Sequence, residues 1–213
     1  MLNSKDSLKV LMDGNKRFVN FEMNPKSLDP EYRKSIINKQ NPYAVVITCS
    51  DSRVSPELIF DCGLGEIFVI RVAAGALNSD LLGSIEYAIL ALNVQLIVML
   101  GHDNCGVMEA ILHDKADLSE DVQRLCDHVS RNFTEEDKKC LSASEGVKVA
   151  TLNDVKLLKE IPVLQDKMAR NELEIIPAHY NFYTNEVEIL EEDYIAVLDF
   201  RNVSSQGCSS LEA

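Results

Sequence analysis

A chain of 213 residues, 46% of them hydrophobic and 26% charged, is long enough to bury a core as one domain and does not have the composition of a disordered or fibrous protein. Its 34 acidic residues against 21 basic ones leave a formal charge of −13, the wrong sign for a nucleic-acid or anionic-membrane partner. Six scattered cysteines do not make a disulfide scaffold, and no opening stretch reads as a signal peptide, so a cytoplasmic protein is the expectation.

The first predicted element is an amphipathic helix with Leu8, Leu11, Met12, Phe18 and Val19 on one face and Asp6 or Ser7 as its N-cap. It opens an N-terminal helical arm over residues 1–40, and a polar, loop-like connection marked by Pro25, Pro30 and Pro42 leads to the first strand. Ala44-Val45-Val46-Ile47-Thr48 then reads as a buried strand, and Cys49-Ser50-Asp51-Ser52-Arg53 follows at once. Glu66 to Ile70 forms a second strand, and small residues run from Ala73 to Ala76. A helix with Leu82, Ile85, Ile89 and Leu92 on one side leads to the third strand, Leu96 to Leu100, and on into Gly101-His102-Asp103-Asn104-Cys105-Gly106.

Two helices come next, one on Val107, Met108, Ile111 and Leu112, the other on Leu118, Val122, Leu125, Cys126 and Val129. Thr134 to Gly146 is polar and charged and reads as an exposed loop with room for a short helix. Val147, Ala150, Val155 and Leu158 mark a further helix, and Pro162 opens another. Leu173 to Ile176 is a fourth strand, and Glu186 to Ile189 an edge strand after a turn near Asn185. A serine-rich tail from about residue 204 is expected to be flexible. Apolar strands alternating with amphipathic helices predict an α/β fold: a central, mostly parallel sheet flanked by helices, with a late antiparallel edge strand, in one domain over 1–213.

Both motifs follow strands, and ligands of open parallel sheets gather where strands end. Neighbouring strands would bring Cys49, Asp51, His102 and Cys105 together, a thiolate, imidazole and carboxylate set that suits tetrahedral Zn2+. Cys105 falls at a helix start, which favours its thiolate. The fourth position is open to Asp51, which closes the site, or to water, which makes it catalytic. Arg53 is near enough to pair with Asp51 and draw it off the metal. Taken singly, each residue has a plainer reading: a buried cysteine, a histidine satisfying a turn, a loop salt bridge. Cys126 reads as core, whereas Cys62, Cys140 and Cys208 carry no assigned role. His113, His128 and His179 lie outside the motifs and are expected at the surface, with His113 the one proton-relay candidate.

The two motifs, running on to Val54 in the first, resemble the signatures of the β-class carbonic anhydrases. The resemblance extends over nearly the whole chain, through Asp13-Gly14-Asn15-Lys16-Arg17-Phe18, Gly65-Glu66-Ile67-Phe68-Val69-Ile70-Arg71, Gly83-Ser84-Ile85-Glu86-Tyr87-Ala88 and Ile176-Pro177-Ala178-His179-Tyr180. It implies reversible hydration of carbon dioxide to bicarbonate and a proton by attack of zinc-bound hydroxide. Cys49, His102 and Cys105 would hold the zinc, with Asp51 and Arg53 as the catalytic dyad. It further implies a homodimer, or a higher assembly of dimers, whose first helix reaches across to the partner. A narrow apolar pocket near Phe68 or Leu58 is expected for the substrate. Where the family commonly has Gly-Asn after the second strand, this chain has Ala74-Gly75, and it lacks the Trp of the family's regulatory bicarbonate site. Alternatives on the same fold are a hydrolase of another small linear molecule such as carbon disulfide, or a non-catalytic zinc protein.

Overall fold

Ala44–Cys49 (β1) and Leu96–His102 (β3) are buried at every residue, the pattern of strands covered on both faces, and they pair in parallel at the middle of the sheet. The computed structural model describes residues 2–113, 118–191 and 193–194; the expected tail lies outside them. In chain order the elements are α1 (Ser4–Val19), α2 (Pro30–Ser35), β1, α3 (Pro56–Ile59), β2 (Ile67–Val72), α4 (Ser79–Leu90) and β3. After these come α5 (Gly106–Leu112), α6 (Glu120–Ser130), α7 (Glu135–Cys140), α8 (Ala143–Glu160), α9 (Pro162–Ala169), β4 (Glu174–Tyr180) and β5 (Val187–Ile189). The sheet order is β2-β1-β3-β4-β5, parallel except for the antiparallel β5.

Alternation along the strands splits the core into two layers, because successive side chains point to opposite faces. Val45, Ile47, Ile97, Met99 and Ile175 pack against α4, α8 and α9 through Ile85, Ile89, Val155, Leu158 and Leu164. Val46, Leu96, Val98, Leu100 and Ala178 face α1 and α3 through Leu11, Ile59 and Phe60. A third cluster, built from α5, α6 and the start of α8, covers the carboxyl end of the sheet and includes Cys49 and Cys105.

α1 packs on its own chain's sheet. Gly14 is required there, since a Cβ would stand 1.9 Å from the Phe60 carbonyl oxygen. Its neighbour Asn15 donates to the carbonyls of Ile59 and Asn185 and accepts from the Val187 amide at 2.9 Å, tying α1 to the β4–β5 hairpin.

Several boundaries differ from expectation for identifiable reasons. The α1 cap is Asn3, whose side chain accepts from the Asp6 amide, so the helix starts before Asp6 or Ser7. The polar connection holds α2, capped by Asp29 with Pro30 at its first turn. The stretch from Thr134 to Gly146, expected as a loop with room for a short helix, holds such a helix in α7 and also the start of α8, each opened by a capping box, at Thr134 with Asp137 and at Ser142 with Glu145. Val122 of α6 is exposed, whereas Cys126 and Val129 are buried as the helical spacing requires. His179, expected at the surface, is 1% exposed. No helix among the described residues is long and apolar enough to cross a membrane.

Candidate metal centre

Cys49 and His102 are the last residues of their strands, each nearer the sheet than expected, because pairing continues to the end: Cys49 opposite Val72, and His102 opposite Tyr180. The chain leaves β1 for β2 on one side and β3 for β4 on the other. The two strand ends therefore flank a topological switch point, where α/β sheets leave a crevice. Cys105 is the residue just before α5 and completes the group. The side-chain ligand atoms of Cys49, His102 and Cys105 lie within 4.8 Å of one another, and all three residues are buried.

The donors fit a cation. His102 Nδ1 lies 2.7 Å from the Asp103 carbonyl oxygen, so Nδ1 carries the proton and the other nitrogen is left as a ligand. That nitrogen, Nε2, is buried without a hydrogen-bond partner. The two thiols face each other: the Cys105 side chain holds Cys49 well below the ordinary thiol range, while Cys49 pushes Cys105 well above it. One proton leaves easily and the second does not, a frustration that a divalent cation between the sulfurs removes.

Asp51 stands outside this donor group, in a carboxylate–guanidinium pair. Arg53 Nη2 donates to Asp51 Oδ2 at 2.7 Å, Arg53 Nε to Oδ1 at 3.0 Å, and the Arg53 amide to Oδ1 at 2.9 Å. These bonds from Arg53 bring the Asp51 carboxyl down to about 2, so it is an acceptor throughout the neutral range. Arg53 also donates to the Asn104 carbonyl at 3.1 Å, joining the two motifs. Sequence reasoning gave Arg71 no role, yet it secures the first motif: its Nε donates to the Cys49 carbonyl at 3.2 Å and its Nη2 to the Asp51 carbonyl at 2.7 Å. An arginine at the end of an edge strand was the one signal for it.

Ala74 occupies the left-handed region at φ 58°, ψ 5°, and its amide donates to Cys49 Sγ at 3.2 Å. A Cβ there costs about 1 kcal/mol, which glycine avoids less its own chain entropy. Ala74→Gly is expected to raise Tm by a few degrees at most, checked by calorimetry; an unchanged or lowered Tm would mean that the turn carries no strain.

Beside the donors lies a cavity of about 20 Å3, walled by Met99, Met108, Val129, Val147, Thr151 and Asp154, and large enough for one water. Neither Phe68 nor Leu58 lines it, and Leu58 is 56% exposed. Gly101 lets α8 approach this closely, since a Cβ would meet Thr151 Oγ1 and Val147 Cγ1, both at 2.6 Å. His113 takes no part; it forms an exposed pair with Glu109 at 3.1 Å.

Burial pushes the Asp154 carboxyl up to about 7, opposed only by a hydrogen bond with the Asn132 side chain. Because the folded state holds this proton more tightly than the unfolded chain, Asp154 favours folding below about pH 4. That contribution is lost as pH rises through 7. Asp154→Asn, which cannot ionise, is expected to match the parent near pH 4 and exceed its stability by up to about 4 kcal/mol at pH 8. Urea unfolding at both values checks this, and a pH-independent difference would refute it.

The sequence model described as carbonic anhydrase matches residues 44–187. Carbonic anhydrase 2 of Mycobacterium tuberculosis is 49% identical over 104 residues, which are 49% of this chain and 50% of that protein. The chain thus spans about half the length of these mycobacterial relatives. Beta carbonic anhydrase 3 of Arabidopsis thaliana is 28% identical over 214 aligned positions, covering 90% of this chain and 80% of that one. The crystal structure of the β-carbonic anhydrase CafA of Aspergillus fumigatus superposes with a TM-score of 0.67 at 25% identity, over 84% of this chain and 90% of that one. With the family's sequence pattern running through every strand that builds the centre, the chain belongs to the carbonic anhydrase family, in its β class.

Proposed function

We propose that the chain holds one zinc ion through Cys49, His102 and Cys105 and catalyses reversible hydration of carbon dioxide to bicarbonate and a proton. The observation that carries this reading is the buried three-donor group standing beside a carboxylate that Arg53 keeps off it. Three protein ligands with a free fourth side are the arrangement of catalytic rather than structural zinc. When bound, zinc supplies the Lewis acidity that lets water ionise near neutral pH. Asp51, ionised and fixed by Arg53, accepts a hydrogen bond from the group at that fourth side and orients it, and Arg71 fixes the loop that carries it. Carbon dioxide is small and uncharged, so the site needs no elaborate recognition surface.

Of the alternatives, a permanently closed, non-catalytic site requires Asp51 among the donors; its pairing with Arg53 speaks for the catalytic reading. The thiols of Cys49 and Cys105 must stay reduced, which a cytoplasmic setting provides, and both are free here. A homodimer or dimer-based assembly belongs to the same proposal, supported by the half-buried apolar residues of the edge strand β2 and by exposed Tyr87 and Leu90 beside it.

The test is stopped-flow carbon dioxide hydration by the zinc-loaded protein from mildly acidic to alkaline pH. A rate that climbs with pH supports the proposal. Zinc in place with no rate at any pH would turn the assignment to another small substrate or to a non-catalytic site.

A further inference from the structure

One aromatic ring lies against both halves of the centre. Phe182, in the turn between β4 and β5, stacks on the His102 imidazole with centroids 5.2 Å apart and planes 30° from parallel. The Arg53 guanidinium carbon lies 4.4 Å from the centroid of the same ring. Tyr180 meets the ring edge-on at 5.5 Å, so the ring is bounded by three neighbours.

The backbone at Phe182 is fixed as firmly. Its amide donates to Asp103 Oδ2 at 3.0 Å, and Asp103 is 5% exposed. The other Asp103 oxygen accepts from Ser144 Oγ at 2.5 Å and from His179 Nε2 at 2.9 Å. Asp103 is thus joined to the β4–β5 turn, to α8 and to β4, while its own carbonyl oxygen accepts the hydrogen bond from His102 Nδ1–H. The turn is locked further by the amides of Tyr183 and Thr184, which donate to the Asn181 side chain.

Arg53 by contrast is a long side chain, 54% exposed, whose remaining partners are the Asp51 carboxylate and the Asn104 carbonyl. Those bonds lie along the edge of the guanidinium and leave its flat face to be covered. A cation over an aromatic face gains an attraction that bonds in the plane of the guanidinium leave unused.

We propose that Phe182 is a positioning residue: its ring, anchored through Asp103, braces Arg53 in the orientation that keeps Asp51 turned away from the donors. The proposal rests on the reading of Asp51 and Arg53 given above. It makes Phe182 a determinant of turnover without contact with substrate.

The test compares Phe182→Leu, which keeps apolar bulk but removes the ring face, with Phe182→Tyr, which keeps the ring. Phe182→Met replaces the leucine variant should that one not fold. Phe182→Leu is expected to lose about tenfold in kcat with KM and zinc content unchanged, and Phe182→Tyr to stay within about twofold of the parent. In the Arg53→Ala background the leucine substitution should cost little further. The Arg53 Nε–H signal in 1H–15N spectra of the metal-free protein should broaden or exchange faster in Phe182→Leu and not in Phe182→Tyr. An unchanged kcat and Arg53 signal in Phe182→Leu, or a loss that Phe182→Tyr shares, would overturn the proposal. If the parent itself shows no turnover, the proposed activity fails, and the Arg53 signal still decides the role of Phe182.

Discussion

Cys105→Ala is expected to lose bound zinc. The substitution removes one of three protein donors and leaves Cys49 and His102, too few to define a tetrahedral site. Loss of a supporting residue around a zinc ligand typically weakens affinity about 10- to 100-fold, so loss of a ligand itself should exceed 100-fold. The fold should persist. Cys105 lies before the first turn of α5, its side chain caps no helix, and the neighbouring apolar cluster is built mainly from other residues. Metal content after dialysis against a weak chelator, with circular dichroism as the control for folding, gives the readout. Full zinc content in a folded variant would remove Cys105 from the site and the proposed chemistry with it.

Asp51→Ala is expected to keep zinc and lose turnover by about 100-fold or more, the scale on which one preorganised hydrogen-bonding group at a reacting centre contributes. The backbone of the motif should hold, because Arg71 bonds the carbonyls of Cys49 and Asp51 rather than the Asp51 side chain. Arg53 would keep its bond to the Asn104 carbonyl and lose its carboxylate partner. A variant as active as the parent would show that the Asp51–Arg53 pair is a loop salt bridge and nothing more. Measured together, the two substitutions separate holding the metal from using it.

The centre was legible in the sequence to the extent that its residues announce themselves locally. β1 and β3 are uninterrupted apolar runs, and a run of that kind followed by Cys or His before a helix specifies both strand and strand end. The pairing of Asp51 with Arg53 also follows from spacing, since both sit on one turn. What escaped is what depends on residues distant in the chain. Asp103 stands inside a quoted motif, but its partners Ser144, His179 and Phe182 come from α8 and the β4–β5 turn, and nothing near them marks the meeting. His179 looked like a surface residue because a lone histidine in a strand carries no sign of the buried carboxylate awaiting it. Asp154 is the same case: α8 shows its apolar face plainly, but only packing against Met108 and Val129 shows that an acid lies inside the fold. The helix missed between Pro25 and Pro42 is polar and short, so its cap rather than periodicity defines it.

The pairing of β1 with β3, sealed by Thr48 Oγ1 donating to the Leu100 carbonyl at 2.8 Å across 52 positions of chain, has a kinetic consequence. Cys49 and His102 meet only once that long-range parallel pairing has formed, and such pairings close slowly because a large loop must first be brought together. The proposed zinc site therefore has only two donors close in sequence, His102 and Cys105, too few to nucleate the chain, unlike the short loops of small zinc-dependent domains. On the zinc reading proposed above, the centre is a product of the finished sheet, complete only where β1 and β3 lie side by side.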